Sequence, residues 1–182
     1  MITLSESNKP RGTQINPDLN ICIVKETING DKTWLYTKNI VTNDGDLFYA
    51  QKGAGESVTS DFAGGSGRME LRTGTVTPAK ANTYTHVTTP VTSSRKIIDS
   101  NYPKTNDGDS DNTGAGTDIV TWRTSWTTSD FNATSIIGGC VHVGGASPAS
   151  GTKLLTHFSI TSFDKTSSDT LKIFVNHTFN GV

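Results

Sequence analysis

The chain has 182 residues, a formal net charge of −1 at neutral pH, 32% hydrophobic residues and 18% charged residues. This balance gives no electrostatic basis for wrapping nucleic acid or for coating an anionic membrane. No run approaches the roughly 18 consecutive apolar residues that a membrane helix needs. The sequence therefore predicts a protein with no nucleic-acid and no membrane partner, which recognises its partners by shape.

Threonine is the commonest residue, with 29 copies, and glycine and serine follow it. Because threonine is β-branched it suits the surface of a pleated sheet, while glycine and serine supply turns. We expect an all-β fold, namely a jelly-roll-like antiparallel β-sandwich with at most one short helix. The start lacks a basic segment followed by an apolar one, so export is not expected, and Cys22 and Cys140 are expected to be reduced.

Residues 1–19 contain two prolines and no periodic apolar pattern, which predicts an extended N-terminal arm before a single domain at residues 20–182. A hairpin opens that domain. Its first strand starts at Ile21, Asn29-Gly30-Asp31 forms the turn, and residues 33–37 return.

The next element is short. Residues 43–46 carry the polar side chains that cap helices, and the run Leu47–Lys52 is long enough for one or two helical turns, with a strand as the alternative. In the following strand, residues 68–72, Met69 and Leu71 are expected to face inward.

The stretch 76–117 predicts long loops, with short edge strands near Tyr84–Val87 and Ile97-Ile98. Regular strands are expected again at residues 118–128, with Val120, Trp122 and Trp126 on one face, and at 136–143. The last two apolar runs, residues 154–163 and 171–179, flank the polar run 164–169 and predict a closing β-hairpin.

The histidines raise the question of a metal site. In the predicted closing hairpin, His157 falls opposite Asn176 or His177, so two imidazoles could lie side by side. A zinc site needs three or four ligands, and the pattern offers no third, which favours an ordinary cross-strand pair.

An acidic loop is the best metal candidate in the sequence. Asp107, Asp109, Asp111 and Asp118 occupy positions one, three, five and twelve of a calcium-loop template. Position six is Asn112 where the template has glycine, and neither flank predicts a helix. A solvated acidic loop is therefore favoured over bound calcium.

Catalytic patterns are weak. Cys140 and His142 lie two residues apart, so on a strand they share a face, but the pattern strongly favours a small buried cysteine beside an edge histidine over a catalytic pair. The glycine-rich run at 64–68 departs from the Gly-x-Ser-x-Gly pattern of a nucleophile elbow. The acidic residues lie mostly in turns, so paired carboxylates for glycoside cleavage are only a third possibility. We predict no catalytic residue and no cofactor.

The three tryptophans could form a sugar-stacking platform with nearby tyrosines. Trp122 and Trp126 share a strand face, which favours packing in the core.

Three stretches carry a family resemblance. Residues 40–50, residues 69–75 with Pro78, and residues 163–173 resemble small virion structural proteins of tailed bacteriophages, many of which are jelly-roll β-sandwiches. The resemblance implies a non-enzymatic part of the virion, made in the host cytoplasm and assembled as a homo-oligomer.

Two placements follow from this resemblance. In one, the protein is a capsid decoration or cement protein that binds the major capsid protein and copies of itself through the arm, by Pro10, Arg11, Ile15, Asn16 and Pro17. In the other, it belongs to the tail or its fibres, or is a receptor-binding or carbohydrate-binding module. The extended arm favours the first placement, because an extended segment can order on a neighbouring subunit.

Overall fold

The computed structural model describes residues 3–5, 20–56, 67–105, 118–144 and 151–179. In these ranges the chain forms eleven strands, one α-helix and a short 3-10 helix at Tyr84–His86. The elements are β1 (Thr3–Ser5), β2 (Ile21–Thr27), β3 (Lys32–Thr37), β4 (Asn39–Val41), α1 (Asn43–Gly53), β5 (Gly67–Arg72), β6 (Pro90–Ile97), β7 (Lys104–Thr105), β8 (Ile119–Trp126), β9 (Ala133–Val143), β10 (Lys153–Lys165) and β11 (Asp169–Thr178).

The strands form two antiparallel sheets. The order in the six-stranded sheet is β1-β3-β2-β11-β8-β7, and in the five-stranded sheet it is β4-β10-β9-β5-β6. The predicted all-β class is confirmed, as is its single α-helix within the described ranges. The jelly-roll topology stays a prediction.

The chain folds as two compact units, each built from segments that are distant in sequence. The first comprises Met1–Lys38, Asp99–Asn132 and Lys165–Val182, and it contains the six-stranded sheet. The second comprises Asn39–Ile98 and Ala133–Asp164, and it contains the five-stranded sheet. The expected division into an arm and one domain stays a prediction.

The first predicted hairpin is confirmed. β2 and β3 pair antiparallel from Ile21 opposite Thr37 to Glu26 opposite Lys32. Gly30 has a φ of 86° in the turn, a conformation that glycine adopts without steric cost. Its amide donates to the Thr27 carbonyl at 2.9 Å, which closes the turn.

The prediction that the last two strands form a closing hairpin is wrong, although both strands are present. β10 pairs with β4 and β9 in the five-stranded sheet, while β11 pairs with β2 and β8 in the six-stranded sheet. Between them, the Asp169 carboxylate accepts from the backbone amide and the hydroxyl of Thr166, each at 2.8 Å. This turn places Asp169 opposite Thr27 on β2, so the chain passes from the five-stranded sheet to the six-stranded sheet.

The helix prediction is confirmed and the strand alternative is wrong. α1 begins after Thr42, whose hydroxyl oxygen accepts from the Gly45 amide at 3.2 Å as an N-cap. The same hydroxyl donates to the Leu154 carbonyl, which ties the start of α1 to β10. The cap therefore precedes the predicted capping run at 43–46.

Two glycines of α1 provide a matched test of this contact. A β-carbon at Gly45 would overlap the Leu155 carbonyl oxygen and lie 2.8 Å from Val41 Cγ1, whereas one at Gly53 meets nothing within 4 Å. We expect Gly45→Ala to lower the free energy of unfolding by about 1–3 kcal/mol through this overlap. Gly53→Ala should leave it unchanged or raise it by up to about 1 kcal/mol, because alanine favours the helix.

Urea denaturation of both variants measures these changes. Equal effects of the two substitutions would contradict the close packing of α1 on β10.

The edge strand expected at Tyr84–Val87 is also wrong, because these residues begin with a 3-10 turn. The Thr83 amide donates to Nδ1 of His86 at 3.1 Å, a capping contact that favours a turn over an extended strand. The strand expected near Ile97 is present, and β6 is longer than predicted.

Candidate functional site

The residues predicted to bind partners, Pro10, Arg11, Ile15, Asn16 and Pro17, lie outside the described residues. Within the predicted arm the structure describes β1. It pairs antiparallel with β3, with Thr3 opposite Leu35 and Ser5 opposite Thr33. The start of the arm thus adds a strand to the edge of this chain's own sheet.

Three of the four calcium candidates, Asp107, Asp109 and Asp111, also lie outside the described residues. The fourth, Asp118, directly precedes β8, and its backbone carbonyl accepts from the Phe179 amide at 2.9 Å. Across the ranges that the structure describes, no three His, Cys, Asp or Glu side chains are grouped to hold a metal ion.

His157 and His177 are not cross-strand partners as predicted, because β10 and β11 do not pair with each other. Cys140 and His142 do share a buried face of β9, and both are fully buried. β9 lies between β10 and β5, so the expectation that His142 lies at an edge is wrong.

All three tryptophans are buried. Trp34, Trp122 and Trp126 are 1–2% exposed, which confirms the prediction of core packing over a sugar-stacking platform. Because these rings are not exposed, they offer no surface on which a sugar could stack, and the main argument for a carbohydrate-binding module is lost.

A buried polar cluster covers one face of the five-stranded sheet, and its centre is Glu70 on β5. Glu70 is fully buried, opposite Cys140 of β9. One carboxylate oxygen accepts from Arg95 of β6 at 2.7 Å, and the other accepts from the Tyr84 hydroxyl at 2.6 Å. His142 lies beside them, with its Nε2 3.8 Å from Glu70 and its ring 5.0 Å from that of Tyr84.

Burial sets the protonation states in this cluster. It raises the pKa of the Cys140 thiol, and the nearby Glu70 carboxylate raises it further. Burial and the hydrogen bond to Glu70 raise the pKa of Tyr84. Burial lowers the pKa of His142 to about 3, and Arg95 and Arg68 contribute to the shift. At neutral pH the thiol and phenol are protonated and the imidazole is neutral, an arrangement that fixes residues and does not activate a nucleophile.

The second part of the cluster is built on Arg72, which is also fully buried. Its Nε donates to Nε2 of His157 at 2.9 Å, and its guanidinium donates to the Ser159 hydroxyl at 2.6 Å. It also donates to three backbone carbonyls, those of Gly74, Val76 and Phe158. Arg72 therefore holds the chain that follows β5 against β10.

These contacts assign the tautomer of His157. Its Nε2 accepts from Arg72, so the ring proton lies on Nδ1, which donates to the Asn82 Oδ1 at 3.1 Å. The same Oδ1 accepts from the Ala79 amide at 2.8 Å. The line from Arg72 through His157 to Asn82 thus ties residues 73–89, here named the cover segment, to the sheet.

Sequence reasoning missed Glu70, Arg72 and Asn82 as buried residues. β5 alternates charged and apolar side chains, a pattern typical of a strand with one face in water. Met69 and Leu71 are buried as predicted, but the cover segment also buries the charged face. The available signal was Tyr84 and Val87, apolar residues three apart inside a polar loop.

No helix in the described ranges is long and apolar enough to cross a membrane. The chain was also compared with known proteins. We find no matching family model, no matching curated protein and no matching solved structure.

Proposed function

We propose that this protein is a non-enzymatic structural component of a bacteriophage virion, and that it decorates the head by binding the major capsid protein and copies of itself. The observation that carries the proposal furthest is the pairing of β1 with the edge of β3. The N-terminal segment adds a strand to the edge of this chain's own sheet, and extended arms use the same kind of strand addition to make backbone contacts with neighbouring subunits.

The polar chemistry of the five-stranded sheet supports a structural role. Glu70 accepts from Arg95 and Tyr84, and Arg72 is held by carbonyl, hydroxyl and imidazole groups. Hydrogen bonds between buried polar groups favour one arrangement of a fold. The buried ring nitrogens of His142 beside Glu70 have no hydrogen-bond partner among the described residues. Repeated copies on a particle would multiply weak contacts, since each bound copy holds its neighbours at high effective concentration.

Two variants separate the contribution of β1 from that of the five predicted binding residues of the arm. In the first variant residues 1–19 are deleted. In the second, Thr3–Ser5 stay and Pro10, Arg11, Ile15, Asn16 and Pro17 are replaced by glycine. Ile28→Ala, at a turn residue that is 76% exposed, is the matched surface control.

We expect both arm variants to remain folded by circular dichroism and to be lost from virus particles purified from cells that carry the gene. Ile28→Ala should join particles as the parent does. Full incorporation of the five-glycine variant would refute the role of the arm. Labelled parent protein found only on tails would move the placement from head to tail.

A further inference from the structure

The cover segment is attached to the five-stranded sheet at a small number of identified points. Arg72 holds its first turn through the carbonyls of Gly74 and Val76. Asn82 holds its middle through His157, and Tyr84 holds the next residues through Glu70. Val87 and Tyr84 then pack on Cys140 and Leu154. Cys140 is therefore shielded by the segment that these contacts hold in place.

His157 is a titratable side chain that links Arg72 to the middle of the segment. Both of its ring nitrogens are committed, one as an acceptor from Arg72 and one to Asn82. A proton on Nε2 would remove the lone pair that Arg72 needs. It would also place a cationic ring 2.9 Å from a buried guanidinium nitrogen. The protonated ring is incompatible with the closed geometry.

The surroundings of His157 reinforce this incompatibility. The charged or titratable groups that act on it within the described residues are Arg72 from β5 and His86 from the 3-10 helix of the cover segment. Its cross-strand partner on β4 is Ile40, which carries no charge. Burial, then Arg72, then His86 lower the pKa of His157 to about 4, so the closed form excludes the proton.

We propose that His157 is an acid-sensitive latch, whose protonation breaks the hydrogen bond from Arg72 and releases the cover segment from the five-stranded sheet. The released segment uncovers the face that carries Glu70, Arg72 and Cys140.

The size of the effect follows from proton linkage. The pKa of His157 is about 4 in the closed form, against 6.5 as its ordinary value. If the released ring returns to that ordinary value, the ratio of open to closed molecules rises about thirtyfold between pH 8 and pH 5.

The thiol of Cys140 provides the readout. In a Cys22→Ala background it is the remaining cysteine, because the chain has 2. The rate at which dithiodipyridine labels Cys140 is measured at each pH and divided by the labelling rate of a free cysteine peptide at the same pH. All three tryptophans lie in the other unit, so their fluorescence separately reports the state of the six-stranded sheet.

We expect normalised labelling of Cys140 to rise about thirtyfold from pH 8 to pH 5 while tryptophan fluorescence stays native. His157→Gln should remove the part of this rise that His157 contributes, since glutamine offers an acceptor and a donor and does not titrate. His86→Gln, the control within the cover segment, should keep the rise. Asn82→Ala, which removes the other side of the latch, should accelerate labelling already at pH 8.

Three results would overturn the latch. They are an unchanged acid rise in His157→Gln, loss of the rise in His86→Gln, and labelling that increases only together with the change in tryptophan fluorescence. Unchanged labelling in Asn82→Ala at pH 8 would also contradict it.

Discussion

Replacing Glu70 by alanine is expected to lower the free energy of unfolding by about 3–5 kcal/mol. The carboxylate is fully buried and accepts from both Arg95 and Tyr84. Its removal leaves the Arg95 guanidinium, whose side chain is 14% exposed, without its ion pair in a site that water reaches poorly. The cost is the charge left behind, not the lost contact alone.

Urea denaturation of the parent and Glu70→Ala measures this difference. Asp46→Ala is the matched control, because Asp46 pairs with Lys80 at the surface, where both side chains are more than half exposed. Such pairs contribute well under about 1 kcal/mol. Similar urea midpoints for the parent and Glu70→Ala would show that Arg95 finds another partner. They would also show that the Glu70 cluster does not organise the five-stranded sheet.

Stability should also fall steeply in mild acid. Burial lowers the pKa of His142 and His177 to about 3 each, and burial with Arg72 and His86 lowers that of His157 to about 4. Because the folded pKa values lie below the ordinary 6.5, the unfolded chain binds more protons in acid. The contribution of the three rings is complete above about pH 6.5 and is lost as the pH falls toward 4 and then 3.

The slope approaches about 1.4 kcal/mol per pH unit for each histidine. Urea denaturation at half-unit steps between pH 8 and pH 5.5 measures it and stays about one unit or more above the ordinary pKa values of carboxylates. His177→Leu should make the profile shallower by one such slope, and His86→Gln, which removes the smallest of the three causes that lower the His157 pKa, should change it much less. A parent stability that is flat from pH 7 to pH 5.5 would contradict neutral burial of the three rings.

Local patterns were sufficient for much of the fold. The Asn29-Gly30 turn predicted the β2–β3 pairing because a glycine with positive φ is required there. The polar run before Leu47 predicted α1, since capping side chains must precede a helix, although the cap itself is Thr42.

The errors concern which elements lie against each other. The alternation in β10 and β11 reports which side chains are buried and does not identify the neighbouring strand, so two adjacent strands in different sheets resembled a hairpin. The alternation of charged and apolar residues in β5 likewise predicted that the charged face is exposed to solvent. The cover segment buries that face through non-local contacts such as His157 with Asn82, which a local pattern does not reveal. The arm and the acidic loop stay predictions.

We propose that this protein works as a docked part of a virus particle. Electron cryomicroscopy of particles purified from cells that carry the gene, with the protein labelled at its C-terminus, is the decisive experiment. We expect labelled density repeated over the head lattice in contact with the major capsid protein. Particles that assemble without any copy of the protein would contradict it.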